Sequence, residues 1–213
     1  SFGVTMLTKM LFSCVVDADR FDAYLFEKNE KYIQDVPDWE RMATELNKYL
    51  TQLKSDKKTK INSDSEISEL RNDVSEQCGA SGKRKRGIYK LEVPTGGGKT
   101  LSGLRFAIEH AKEHKLDRII YVIPYLSILS QTAKEIRKAL NAGDDNVLEH
   151  HSNLLPDDTE YYKLHTDRWD FPIVLTTQVQ FLESVFSAKA SKLRKLHSIT
   201  NSVIIFDEIQ AIP

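Results

Sequence analysis

Residues 93–100 combine three consecutive glycines with a lysine and a threonine, and this run constrains the fold more than any other in the chain. Gly96, Gly97 and Gly98 allow several backbone N–H groups to converge on one point. A side chain there would clash or would forbid the dihedral angles that the bend requires. Such loops join a strand to the N-terminus of a helix, so we expect an α/β fold built on a parallel sheet.

The rest of the chain after residue 88 has the alternation that such a fold requires. Short apolar runs predict strands at 88–93, 118–123, 146–148, 173–176 and 203–206. Amphipathic stretches between them predict helices near 100–114, 127–141, 178–187 and 189–197. Continuously apolar strands separated by helices are typical of a parallel sheet that is covered on both faces.

Before residue 88 the pattern is helical. A first helix is predicted over 4–27 from one stripe of apolar residues: Leu7, Leu11, Cys14, Ala18, Phe21 and Leu25. A second follows Pro37, with one face formed by Trp39, Met42, Leu46, Leu50 and Leu53. A capping box at Ser63 and Glu66 predicts a third helix, through Cys78. The polar run 54–62 is the predicted domain boundary.

The composition, with 40% hydrophobic and 29% charged residues, is that of an ordinary soluble globular protein, and we expect it to be cytoplasmic. The formal net charge of -1 gives no overall attraction to nucleic acid, so polyanion binding would depend on local patches. Cys14 and Cys78 lack metal-ligand spacing and are predicted to be buried thiols in a reducing compartment. No signal peptide and no apolar run of about 20 residues is found, so no membrane segment is expected. Both ends of the sequence look cut.

The glycine loop predicts a nucleotide phosphate site. Lys99 would place its ammonium against the β and γ phosphates, and Thr100 would offer its hydroxyl to magnesium. The positive end of the following helix dipole would point at the same place. Val93 stands where the strict motif has glycine, five positions before Gly98, and helicase-type loops relax this position.

The apolar run 203–206 ends in two carboxylates, and these predict the second half of the same site. Asp207 would hold the magnesium through water, and Glu208 would polarise the attacking water as general base. The alternative is that acidic residues simply follow a strand. The separation of 108 residues between Lys99 and Asp207 (207 minus 99) fits one RecA-like lobe.

Residues 95–100 together with Asp207-Glu208-Ile209-Gln210 resemble motifs I and II of superfamily-two helicases. The resemblance adds Pro94 and Thr95 to the nucleotide-binding residues. Two further segments resemble motifs that lie along the tracking strand of nucleic acid in that family. They contribute Pro124, Tyr125 and Gln131, and then Thr176, Thr177 and Gln178. An ordinary helix cap remains the alternative for Thr-Thr-Gln.

The residue sequences of 91–101 and 207–210 are similar to those of the CRISPR-associated helicase-nuclease of type I systems. Residues 149–153 are similar to another segment of that family. The resemblance implies an ATP-dependent enzyme with magnesium that moves along single-stranded DNA. It also implies an RNA-guided surveillance complex as partner. In this family ATP lies between two lobes and the second lobe supplies arginines, so we expect little hydrolysis from these 213 residues alone.

Residues 12–22 are similar to the closing helix of the histidine-aspartate (HD) nuclease domain in this family. The last metal ligand of that domain maps onto Asp19, with Asp17 as the competing candidate. The histidines that would complete the site for a divalent transition metal are expected before Ser1, so the nuclease is assigned to a longer parent protein. The predicted domains are 1–27 as nuclease tail, 28–62 as connector and 63–213 as the first RecA-like lobe.

Other classes of protein stay open. A single-domain phosphotransferase or a non-hydrolysing module for ATP and nucleic acid could share the glycine loop, as could the lobe of another superfamily-two helicase. The basic run 83–86 is expected to be a solvated loop, with a nucleic-acid patch as the alternative. His150 and His151 are expected to be loop or core residues rather than ligands.

Overall fold

Four parallel strands form one sheet at the centre of the computed structural model, which describes residues 1–31, 36–58, 65–94, 96–143, 146–151 and 165–209. The strands are β1 Arg118–Ile123, β2 Val147–His150, β3 Ile173–Thr177 and β4 Ser202–Phe206. Their order in the sheet is β2-β3-β1-β4, and all three pairings are parallel. The predicted fold class, α/β with a RecA-like parallel sheet, is confirmed.

The helices with described bounds around the sheet are α1 Phe2–Lys28, α2 Trp39–Lys58, α3 Ser65–Gly82, α4 Lys99–His114, α5 Leu126–Leu140, α6 Gln178–Phe186 and α7 Ala190–Leu193, and residues 165–168 are also helical. A 3₁₀ turn, His197–Ile199, precedes β4. The predicted helix over 189–197 is therefore shorter, because α7 has four residues before the chain turns. Ser63, the start of the predicted capping box, lies outside the described residues.

Both faces of the central strands β1 and β3 are buried. Successive residues of a strand point to opposite faces, and in β1 Ile119 and Tyr121 join one apolar cluster while Ile120 and Val122 join another. The burial of both sets explains why the strand reads as a continuous apolar run.

Helix α2 packs against α4 and α5 on the first of these faces. Its predicted apolar face is confirmed, since Trp39, Met42 and Leu46 are buried in the larger cluster. The indole Nε1–H of Trp39 donates a hydrogen bond of 2.8 Å to the carbonyl of Leu116, which lies between α4 and β1. The segment predicted as a connector therefore contributes to the core of the lobe, and the domain boundaries themselves remain predictions.

Helix α1 forms as predicted, but the N-terminal part of its apolar stripe is exposed, whereas Phe21 and Leu25 are partly buried. Leu7 and Leu11 are 60% and 61% exposed, whereas the buried residues of this helix are Ser13 and Asp17. Cys14 is exposed, so the prediction that both thiols are buried is wrong for Cys14 and confirmed for Cys78.

The strand predicted at 88–93 is wrong. These residues are described but have no strand pairing, and Ile88 is fully exposed. A strand requires a neighbour for its hydrogen-bonding groups, and an apolar run alone does not supply one. β4 accordingly forms the edge of the described sheet and leaves Ile204 and Phe206 partly exposed.

None of the described helices is long and apolar enough to cross a lipid bilayer.

Candidate functional site

The glycine loop bends so tightly that glycine is required at three successive positions. Gly96 and Gly98 have φ angles of 80° and 82°, which residues with a side chain rarely adopt. A Cβ on Gly97 would lie 2.2 Å from Cγ1 of Val93. The N–H of Gly97 donates to the carbonyl of Pro94 over 2.9 Å, which closes the turn.

The loop delivers the chain directly into α4, whose first residue is Lys99. Gly98 is the N-cap and has no side chain, so within the described residues no N-cap side chain accepts the backbone N–H groups of the first turn. Lys99 and Thr100 are both partly buried at this end of the helix. Free N–H groups, the positive dipole end and a lysine together fit a phosphate group. Thr95 lies outside the described residues.

Arg71 of α3 holds this loop from the other side, and sequence reasoning did not identify it. Its Nε donates to the carbonyl of Gly96 over 2.7 Å. A cleft of about 290 Å³ opens beside this contact, between α2, α3 and the start of α4. Polar side chains in its wall include Asn47, Asn72 and Arg105. The available signal was a lone arginine on the helix before the loop, which has no motif to single it out.

The two predicted carboxylates follow β4 directly. The N–H of Asp207 donates to the carbonyl of Val122 over 3.1 Å, so Asp207 continues the pairing with β1. Oδ1 of Asp207 accepts the N–H of Glu208 over 2.9 Å. Glu208 has a φ of 49°, a left-handed conformation that is uncommon for a residue with a side chain. The chain therefore turns sharply at the point where the acidic pair begins.

The loop and the carboxylates lie at the same edge of the sheet. Only three residues connect the end of α4 at His114 to the start of β1 at Arg118, so α4 runs antiparallel to the strands. Its first turn is consequently beside the carboxyl ends of the strands. Helix α4 also contacts β4, the strand that Asp207 follows.

Other predicted residues lie at this edge too. Tyr125, between β1 and α5, is 56% exposed, Pro124 is partly buried and Gln131 is exposed. The hydroxyl of Thr177 accepts the N–H of Gln180 over 3.3 Å, so this residue caps α6. Nε2 of Gln178 is buried without a hydrogen-bond partner in the part of the chain that the structure describes.

Thr176 lies at the same edge of the sheet, and its predicted contact with nucleic acid stays a prediction. Its side chain is fully buried, and its hydroxyl donates to the carbonyl of His150 over 3.1 Å. The residue therefore joins β2 to β3 instead of presenting a hydroxyl at the surface.

His150 is the last residue of β2 and pairs with Thr176 of β3. Nε1–H of Trp169 donates to its Nδ1 over 2.8 Å, which assigns the ring proton to Nε2. Burial lowers the pKa of His150 to about 3, so the ring is neutral near pH 7. This placement agrees with the expectation of a core histidine.

The basic run 83–86 lies at the opposite edge of the sheet. Its residues are exposed, and Arg86 donates to the carbonyl of His114 over 2.9 Å and to Oδ1 of Asn201 over 3.3 Å. Arg86 thus ties the loop to the C-terminus of α4, far from the glycine loop.

The described residues contain no group of three or more His, Cys, Asp or Glu side chains that could hold a metal ion. Asp19 is exposed, whereas Asp17 is buried against two arginines. The two candidates for a nuclease ligand thus have opposite environments.

The parallel sheet, the glycine loop at the start of α4 and the acidic pair after β4 define a RecA-like lobe of the helicase type. Residues 40–209 match the family described as type III restriction enzyme, res subunit, so the chain belongs to this family. The matched region contains all of α2 except Trp39, together with both motifs, and the whole of α1 precedes it.

The chain is also similar to a protein of Haloferax volcanii named CRISPR-associated nuclease/helicase Cas3, with 29% identity over 150 residues. The match covers 59% of this chain and 16% of that protein. The resemblance stated from the motifs, to a CRISPR-associated superfamily-two helicase-nuclease, is thereby confirmed.

Proposed function

We propose that this lobe binds ATP with magnesium between the glycine loop and the Asp207–Glu208 pair, as part of an ATP-dependent DNA translocase. The observation that carries the proposal is the shared sheet edge, where a loop that excludes side chains meets a helix N-terminus and two carboxylates. The residues present fit ATP with magnesium, because a lysine and backbone N–H groups can donate to phosphate and the hydroxyl and carboxylate oxygens can bind magnesium.

Each residue has a distinct role in this proposal. Lys99 neutralises charge on the β and γ phosphates, and Thr100 with Asp207 would hold magnesium, which supplies further neutralisation when bound. Glu208 accepts a proton from the attacking water. Arg71 fixes the carbonyl of Gly96 and thereby positions the loop. Pro94 and Thr95 complete the loop by the resemblance to motif I.

A path for single-stranded DNA is proposed along the neighbouring strand ends. Pro124, Tyr125 and Gln131 would contact one part of the strand, and Thr177 and Gln178 another. Such contacts with phosphate carry no sequence information, which suits a motor that moves along any strand. In support, the first segment follows β1, which pairs with β4, and the second follows β3, which pairs with β1 on its other side.

The longer parent protein is proposed to couple this motor to a metal-dependent nuclease that cuts single-stranded DNA in CRISPR antiviral defence. Asp19 would contribute a carboxylate to the divalent transition metal of that nuclease. An RNA-guided surveillance complex in the cytoplasm would be its partner. The similarity to the Haloferax protein, by its printed name, and the motif spelling support this part of the proposal.

Binding of a fluorescent ATP analogue with magnesium tests the nucleotide site. We expect Lys99→Ala to weaken binding at least about 10-fold, because a charge-assisted contact is lost. Glu208→Gln should leave affinity within about 3-fold, since this residue acts on water.

Lys85→Ala is the matched control, because it removes an exposed lysine at the other edge of the sheet. Equal affinity of the Lys99→Ala variant and the unaltered chain would exclude the site. Strong DNA-stimulated ATP hydrolysis by these 213 residues would instead contradict the expectation that a second lobe is needed.

A further inference from the structure

Helix α1 contacts the lobe through polar side chains, although it is rich in apolar ones. Its buried residues are Ser13 and Asp17, one helical turn apart on the same side. The exposed Leu7, Leu11 and Val15 lie on the remaining surface. The best-buried part of the contact between this helix and the lobe therefore consists of hydrogen bonds and ion pairs, and apolar residues of the helix are at most partly buried.

The carboxylate of Asp17 is the centre of these contacts. Nε of Arg168 lies 2.9 and 3.1 Å from its two oxygens, and Nε of Arg194 lies 2.8 Å from Oδ1. Nε2 of His197 is 3.5 Å from Oδ2. We call these four residues the Asp17 cluster. The ring of Phe21, one turn further along α1, lies 3.6 Å from the guanidinium carbon of Arg168.

Asp17 is the buried counter-charge for both arginines. The side chains of Arg168 and Arg194 are 10% and 5% exposed, and that of Asp17 is 6% exposed. Other carboxylates reach the arginines less closely or from solvent: Asp170 lies 3.2 Å from Arg168, and Asp167 lies 3.7 Å from Arg194 with half of its side chain exposed. Loss of the Asp17 charge would leave two buried guanidinium groups undercompensated.

Neighbouring turns of α1 extend the contact. The hydroxyl of Ser13 accepts the backbone N–H of His197 over 3.0 Å and lies 3.0 Å from the carbonyl oxygen of Arg194. Nζ of Lys9 donates to the carbonyl of Phe186 over 2.8 Å, at the C-terminus of α6. Three successive turns of the helix thus contact residues more than 170 positions away in sequence.

We propose that Asp17 is a positioning residue that locks α1 onto the lobe through Arg168 and Arg194, with Asp19 turned outward. Two residues along a helix correspond to a rotation of about 200°, so only one of the two carboxylates can face the lobe. Asp17 therefore serves as the anchor, and Asp19 remains the carboxylate that the outer face offers. The inference rests on the contacts of α1 and is independent of nucleotide binding.

Hydrogen exchange of the full chain, read by mass spectrometry over α1 and α2 separately, tests the lock. In Asp17→Asn we expect exchange in the middle of α1 to accelerate on the order of 100-fold or more, because a buried charge pair is broken. Peptides from α2 and β1 should keep their protection. Asp19→Asn is the matched control, since it makes the same change on the outer face, and should exchange like the unaltered chain.

A nitroxide on Cys14, which is exposed on α1, gives a second readout. Its spectrum should sharpen in Asp17→Asn and stay broad in Asp19→Asn. Asp17→Glu keeps the charge and should retain most of the protection and the broad spectrum. Unchanged exchange in Asp17→Asn, equal loss of protection in α1 and α2, or a Glu variant that behaves like Asn would each overturn the proposal.

Discussion

The two faces of the parallel sheet are built differently. On one face α2, α4 and α5 bury a large cluster that is almost entirely apolar, with Met42, Leu46 and Ile136 among its members. On the other face a smaller aromatic and aliphatic cluster around Trp169 lies beside buried charged residues, including Arg168, Arg194 and Lys195. Both N-terminal helices use these faces, α2 through the apolar side and α1 through the charged side.

Apolar burial holds the lobe together, whereas buried ion pairs attach α1 to it. Apolar burial is non-directional and scales with area, so α2 becomes part of a common core. A buried ion pair contributes little net stability but depends on exact partners, so α1 is held in one position. The lysine on the charged face shows the same environment, since burial lowers the pKa of Lys195 to about 8.

The largest expected effect tests the apolar face. Leu46→Ala removes a side chain that is 1% exposed, and we expect it to lower the free energy of unfolding by about 2–5 kcal/mol in urea titration. Leu11→Ala on α1 is the control, because its side chain is 61% exposed, and should change stability by no more than about 0.5 kcal/mol. Similar losses in both variants would remove the distinction between the two helices.

A smaller effect, on pH dependence, tests the charged face. The folded chain keeps His150 neutral with a pKa of about 3, whereas the unfolded chain takes up a proton below about pH 6.5. Stability should therefore fall as pH is lowered, by about 1.4 kcal/mol per unit below pH 6.5 and about 2 kcal/mol at pH 5. His150→Asn keeps an acceptor for Trp169 without a titrating ring and should not show this part of the loss.

Leu46→Ala is the control for that experiment, because neither leucine nor alanine binds a proton. The loss of unfolding free energy in this variant should be the same at pH 7.5 and pH 5. Urea titrations at both pH values provide the measurement. A His150→Asn variant with the full acid sensitivity of the unaltered chain would show that other groups carry the dependence.

The smallest effect on stability comes from the outer surface of α1. Cys14 is exposed, and Cys78 is buried with its pKa raised by that burial. A maleimide should modify Cys14 first, with Cys78 at least about 100-fold slower, because the thiolate is the reacting species. Mass spectrometry gives both rates. Modified Cys14 should leave the unfolding free energy within about 0.5 kcal/mol, and equal rates at the two thiols would contradict the described burial.

The elements whose signals are local were predictable from the sequence. The apolar runs at 118–123 and 203–206 became β1 and β4 with shifts of at most one residue, and the helix from Trp39 buries the face that its spacing indicated. The glycines of 96–98 also form the predicted tight turn before a helix, since the allowed φ angles are a property of the residue type.

The features that the sequence did not reveal share a cause, which is that each depends on a partner far away in sequence. The run 88–93 has the composition of a strand but no neighbour to pair with among the described residues. Thr176 was predicted to contact DNA, and in the structure its hydroxyl donates to the carbonyl of His150, 26 positions earlier. Arg71 had no motif, and only the approach of α3 to the loop gave it a role.

The sequence alone determined the residue types at the proposed nucleotide site and the alternation of strands and helices, because glycine conformations and side-chain periodicity act within a few residues. It also determined that 4–27 would be helical. Only the tertiary structure decided which side of that helix would dock. Asp17 and Asp19 are two positions apart in one motif. Asp17 is the one that contacts the lobe, because the fold brings Arg168 and Arg194 to its side of α1 from more than 150 residues away.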